Sequence, residues 1–228
     1  MRVLAFSVRT IGPMRAMLPK PLRLSSKDGS ASHRAAHNYA VAGELAFLFF
    51  LGVCIALHPG FVFKREEGGM SNYGLHIKTA IPYTLALGSL SFCSIAAALS
   101  YSGYGSTRWP RKILLGYGVI VGAMLLSTYY YSLDTVLTDI HFGLGAVLVG
   151  FTGVSSLWLV SRGRASVWSV VFLTVQLLGD AGALLAATGA FHALFLAEMA
   201  TNLGFSALVI RACRKVAGAR PRRASEAT

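Results

Sequence analysis

Apolar residues in this chain neither alternate nor recur at amphipathic spacing; they come in long, almost unbroken runs. Six runs stand out, at 39–57, 79–101, 113–129, 140–160, 167–188 and 191–210. Each matches the length of a spanning helix, which takes about 20 apolar residues with a range of about 17–25. The first run is closed by "HPG" (His58 to Gly60). Thr79 offers a hydroxyl cap to the second, and Pro82 falls in its first turn, where proline is tolerated. "STRWP" divides the second run from the third, and "SRGRAS" the fourth from the fifth. Only Gly189 and Ala190 part the last two, which predicts a tight antiparallel hairpin. The expected fold class is all-α: a polytopic membrane protein with a six-transmembrane-helix bundle over 39–212. A disordered basic segment, 1–38, is expected before it and a basic tail, 213–228, after it.

Composition agrees with this pattern. The 228 residues are 54% hydrophobic and 13% charged, against about 25% charged in soluble domains. The net charge of +12 would suit nucleic acid, but its placement argues against that partner. With six spans, 18 of the 21 Lys and Arg fall on the side of the two termini and 3 (Lys64, Arg65, Lys78) on the other. Basic residues are retained on the cytoplasmic side, so both termini are expected there. The basic ends would then meet anionic lipid headgroups. An Arg- and Ser-rich transit peptide is the alternative reading of 1–38. The three cysteines, Cys54, Cys93 and Cys213, form no CxxC or CxxCH pattern. They speak for neither disulfides nor a zinc knuckle.

The acids change the picture most. Of 9 Asp and Glu, only Asp28 and Glu226 lie in the terminal segments. Glu44, Asp180 and Glu198 sit inside apolar runs. An ionised acid at a helix centre costs about 2.5–3.5 kcal/mol on insertion scales, so these groups must face the bundle interior, find partners or stay protonated. At about 1.5 Å per residue, Asp180 and Glu198 both lie roughly 10–12 Å below the outer surface, on neighbouring helices. They are expected at matched depth and facing each other. Gln176 is four before Asp180 and Asn202 four after Glu198, so each acid lies on a polar stripe. Gln176, Asp180, Glu198 and Asn202 make up a candidate intramembrane site. Glu44 is expected near the inner end of its helix, reaching water or Arg34. Gly118-x-x-x-Gly122 and the row Gly179, Ala183, Ala187 are small-residue faces suited to close helix packing.

A second candidate site lies on the expected outer side. It gathers Glu66, Glu67, Asn72, Tyr73 and His76 from the long first loop. Asp134, Asp139 and His141 join from the start of the fourth run, and His192 from the start of the sixth. Gly68 and Gly69 would let the segment "REEGGMSNYG" fold back over the helix mouths. A metal site would draw on His76, Asp139, His141 and His192, since zinc takes imidazole nitrogen and carboxylate oxygen. The only local pair is Asp139-x-His141, without HExxH. No G-x-S-x-G serine motif or phosphate loop occurs, and the histidines are placed wrongly for axial haem ligands.

The stretches "EGGMSNYG…HIKTAIPYTLAL" (Glu67 to Leu87) and "STYYYSLDTVLTDIHFGLGA" (Ser127 to Ala146) loosely resemble uncharacterised bacterial multi-pass inner-membrane proteins with a domain of unknown function. The resemblance implies a bacterial plasma membrane and carries no activity, cofactor or catalytic residue. The residues themselves point first to a non-enzymatic or transport-associated membrane protein with an outward-facing polar site, working alone or as a homo-oligomer. A zinc-dependent intramembrane hydrolase acting on a lipid is the alternative.

Overall fold

The computed structural model describes residues 26–63, 69–101, 108–130, 133, 135–162, 166–190 and 192–218. Among these the chain is all-helical. Helix α1 covers Ser26–Leu57, and a short 3-10 helix follows at Pro59–Phe63. Then come α2 (Ser71–Leu75), α3 (Ala80–Ser100), α4 (Arg108–Thr128), α5 (Thr135–Arg162), α6 (Val167–Ala187) and α7 (Leu194–Gly218). All but α2 are long and apolar enough to cross a membrane. Six such helices are compatible with an integral membrane protein, as the hydrophobic pattern predicts.

The helices are longer than the apolar runs. Residues 26–38, expected to belong to a disordered tail, are the first turns of α1. The 32 residues of α1 extend about 48 Å at about 1.5 Å per residue, against a hydrocarbon core of about 30 Å. Hydropathy marks the part that matches lipid, while a helix continues wherever its backbone bonds remain satisfied. For the same reason α4 begins at Arg108 and α5 at Thr135, each five residues before its apolar run. The last hairpin is looser than expected: Gly189 turns with φ +75 after α6, and α7 starts only at Leu194.

Around an apolar core that includes Phe47, Leu51, Phe195 and Phe205, the burial pattern departs from that of a soluble bundle. Large apolar side chains such as Phe49, Phe92, Leu126, Phe142, Val154 and Leu178 are exposed, while Glu44, Ser94, Thr152, Ser156, Gln176, Asp180, Thr201 and Ser206 are buried. In a membrane, lipid would solvate the first set and could not hydrogen-bond the second. α1 packs along α3, α3 on α4, α6 on α7, and α7 on α1. α5 is the least enclosed of the spanning helices.

Small residues set the closest contacts. Gly118 lies against the α3 backbone at Ser91 and Ile95, and Gly122 against the Ser91 hydroxyl. On the hairpin, a Cβ at Gly179 would stand 2.4 Å from the Thr201 nitrogen, and one at Gly204 would stand 2.7 Å from the Gln176 nitrogen. These two glycines fix the register of α6 on α7. Gly179→Ala should therefore destabilise the protein by about 1–3 kcal/mol through overpacking, although alanine is the better helix former by about 1 kcal/mol. Gly143 and Gly150 on α5 have open space around the same position. Their alanine variants should be neutral or stabilising in denaturant unfolding in detergent. Equal behaviour of the two sets would refute the register.

Candidate functional site

The connection between α1 and α3 closes one end of the bundle, called here the loop end. Its 3-10 helix rests on α1 and α7, and α2 rests on α3 and α4. Two glycines make this descent possible. Gly69 has φ +95, and a Cβ there would lie 2.9 Å from one Glu198 carboxylate oxygen and 3.0 Å from the other. At Gly74 a Cβ would strike Thr128 and Tyr83 at 2.6 and 2.8 Å. Residues 69–74 thus fold into the helix mouths. Asn72, Tyr73 and Gly74 are buried on α2.

Thr79 stands at the α3 N-cap position but makes no capping bond. Its hydroxyl instead donates back to the Tyr73 carbonyl at 2.7 Å and lies 3.2 Å from the His76 carbonyl, tying the end of the connection down. Tyr73 donates to the His58 carbonyl at 3.3 Å. Burial pushes its phenol up to about 12, so it remains a neutral donor.

Three clusters of polar side chains follow from this architecture. At the loop end, the Met70 backbone N–H donates to Glu198 Oε2 at 2.6 Å. Beside it, Ser71 Oγ is 3.0 Å from His141 Nε2, and Ser127 Oγ is 2.9 Å from His141 Nδ1. His141 is only 4% exposed, because α5 starts a turn and a half before it. Ser127 Oγ also lies 2.9 Å from the Met124 carbonyl, which can only accept. With the single Ser127 proton on that carbonyl, Nδ1–H donates to Ser127 and the bare Nε2 accepts from Ser71. A hydroxyl on a bare imidazole nitrogen is the start of a nucleophilic site. Such a site also needs donors aimed at a developing oxyanion, and the Met70 N–H is already committed to Glu198.

The second cluster joins α5, α6 and α7. Thr201 donates to Asp180 Oδ1 at 2.8 Å, and Ser156 donates to Gln176 Oε1. The third joins α1, α4 and α7. Tyr117 donates to Asn202 Oδ1, and Asn202 Nδ2 donates to Glu44 Oε1 at 3.1 Å. Glu44 is 7% exposed; it is held inside the bundle and does not reach Arg34 or water as expected.

The predicted residues are thus only partly brought together. Gln176 and Asp180 share a cluster, while Glu198 and Asn202 serve two others. Asp180 and Glu198 do not face each other: the glycine register presents Thr201 to Asp180 and turns Glu198 toward the connection. Of the four metal candidates, His141 lies between two serines, His76 lies 4.6 Å from the His58 ring centroid, and Asp139 and His192 are exposed. Among the described residues no three His, Cys, Asp or Glu side chains are placed to hold a metal. Glu66, Glu67 and Asp134 lie outside the described residues. Ser71, Tyr83, Tyr117, Ser127, Ser156 and Thr201 were not singled out from sequence. As neutral residues in apolar runs and loops, they carry no signal until their partners are known. Comparison with protein-family models, curated proteins and solved structures gives no match.

The bond from Met70 ties the descending loop to Glu198 on α7, beside the ring contact of Tyr73 with Phe195. A hydrogen bond to a charged group contributes about 1.5–3 kcal/mol. Glu198→Ala should therefore raise amide hydrogen exchange at residues 70–76 by about tenfold or more, since about 1.4 kcal/mol is a factor of ten. Glu198→Gln keeps an acceptor and should retain most of the protection. Unchanged exchange in the alanine variant would show that the loop is held by its apolar contacts alone.

Proposed function

We propose that this chain is a multi-pass protein of the bacterial plasma membrane, with both termini in the cytoplasm, and that it passes protons along the α7 face toward the bundle centre. The observation that carries this reading is the row Glu198, Asn202, Ser206. Residues four apart share a helix face, and the row descends about 12 Å at about 1.5 Å per residue. Its contacts agree. Glu198 meets Met70, Asn202 meets Glu44 and Tyr117, and Ser206 lines a small cavity beside Glu44. The partners given to Glu44, Asp180 and Glu198 are neutral donors. A carboxylate with neutral partners can gain and lose a proton without stranding a buried cation, and acids on interior faces are what membrane proton relays use. Thr201 and Asp180 lie on the neighbouring face, toward α6, and there serve helix association.

Anionic lipid headgroups are the natural partners of the basic terminal segments on the cytoplasmic side. The zinc-hydrolase alternative gains no supporting geometry from His76, Asp139, His141 and His192.

Proteoliposomes carrying an internal pH dye test the proposal directly. Under a potassium–valinomycin potential, the wild type should acidify or alkalinise the lumen faster than empty vesicles. Glu198→Gln should cut the rate at least about tenfold, the effect of about 1.4 kcal/mol on a barrier. Asp180→Asn should keep most of it. A wild-type flux equal to that of empty vesicles would overturn the proposal.

Orientation has a separate check in a background with the native cysteines replaced. Ile77 is 88% exposed at the loop end, and Ser161 is exposed at the opposite end. A membrane-impermeant maleimide added to whole cells should label Ile77→Cys and spare Ser161→Cys. The reverse pattern would invert the topology.

A further inference from the structure

A groove between α4 and α5 lies away from the buried acids. Trp109, Lys112, Val147, Phe151 and Val154 wall a space of about 500 Å³, inside the range of about 300–1,000 Å³ typical of ligand sites. Gly150 also lines it, with open space around its Cβ position. The two helices run antiparallel. Ser127 meets His141 at the loop end, and the Trp109 and Trp158 rings meet at the other, with centroids 4.9 Å apart. From Ser155 back to Val147 the α5 wall descends about 12 Å at about 1.5 Å per residue. The groove is thus a slot that opens beside the tryptophans, at the end opposite the loops, and runs into the apolar layer.

The walls select the occupant. Below the mouth, Val147, Phe151 and Val154 offer only hydrocarbon, and both valines are exposed. At the mouth, the Lys112 ammonium lies 5.3 Å from the Trp109 ring centroid. A ring attracts an ammonium without accepting all three of its N–H donors, so donors remain for an anion. Arg111 is exposed one residue earlier, and Arg162 is exposed in the last turn of α5, at the same end. No acid lines the groove. Tryptophan rings suit the headgroup level, where amphipathic aromatic side chains concentrate. An apolar slot beneath a cation complements an amphiphile with a negative head. An apolar protein segment would leave Lys112 without an anion, and a free anion would leave the slot empty. We propose that this groove binds an anionic phospholipid, its phosphate at Lys112 and one acyl chain along Val147, Gly150, Phe151 and Val154. Basic pockets between spanning helices hold anionic headgroups by the same charge match. The site is separate from the α7 row and stands whether or not protons pass along it.

The tryptophans themselves supply the test. The chain has three, Trp109, Trp158 and Trp168, so Trp168→Phe leaves only the pair at the groove as emitters. This full-length parent is reconstituted in phosphatidylcholine, with a rising fraction of either phosphatidylglycerol or phosphatidylcholine brominated near the glycerol end of the acyl chains. Bromine quenches indole fluorescence on contact. Brominated phosphatidylglycerol should quench at a mole fraction about fivefold lower than brominated phosphatidylcholine, the effect of about 1 kcal/mol for one basic residue at an anionic surface. Lys112→Gln should bring the two curves together. Gly150→Leu keeps the lysine and fills the slot, and should also remove the preference; the open space around Gly150 allows it to fold. Equal quenching of the parent by both lipids would overturn the site. So would quenching by neither, the result if a second copy of the chain covers the groove. A preference that survives either substitution also overturns it and assigns the anionic enrichment to the basic terminal segments. A proton-flux assay that fails while the lipid preference persists removes the relay and keeps the lipid site.

Discussion

A carboxylate taken into an apolar bundle must find its hydrogen-bond donors there, because lipid has none to give. Much of this structure follows from that constraint. Glu44, Asp180 and Glu198 each draw a partner from another element: Asn202 on α7, Thr201 on α7 and the Met70 backbone at the entrance to α2. Each acid therefore fixes a neighbour as well as its own helix. α7 takes part in all three bonds, which makes it the shared wall of the bundle. It contacts α1, α4, α5, α6 and the 3-10 helix.

Close backbone packing makes these bonds possible. Thr201 reaches Asp180 because Gly179 lets α6 rest on the α7 main chain, and Gly204 does the same opposite Gln176. A methyl group at either glycine would push the helices apart by more than a hydrogen bond tolerates. At the loop end, Gly69 plays the corresponding part for Glu198, and its positive φ gives the chain the reversal it needs. Small residues thus bring the polar ones within range, and in lipid both contribute to association.

The helical class and six membrane-capable helices were legible from the sequence because they depend on apolar length, which is local. That Asp180 and Glu198 turn inward was legible for the same reason, since exposure to lipid is costly at any azimuth, whereas Glu44, expected to reach water or Arg34, is held inside as well. Their partners were not. A short connection between α6 and α7 gives matched depth but says nothing about rotation, and so Asp180 was expected opposite Glu198 when Thr201 stands there. The descent of Gly69 to Gly74 could be anticipated from its glycines, while the encounter of Ser71 with His141 required knowing how α2 meets α5. Helix ends were misjudged at Ser26, Arg108 and Thr135 because polar turns can be helical outside the apolar layer.

The polar clusters are also mechanically linked. Glu198, Asn202 and Ser206 ride on one rigid helix, and Gly179 and Gly204 clamp that helix to α6 where residues 197–204 of α7 meet residues 172–179 of α6. Sliding α7 along α6 would drive Thr201 and Gln176 backbone atoms into their neighbours, so a small axial shift is resisted. The loop end is different, because residues 69–74 reach α7 through the Met70 to Glu198 bond and the ring contact of Tyr73 with Phe195. Of the two ends of the α7 row, the loop is therefore the part that can give way while the Glu44 cluster, braced by Tyr117 and Asn202, holds its shape.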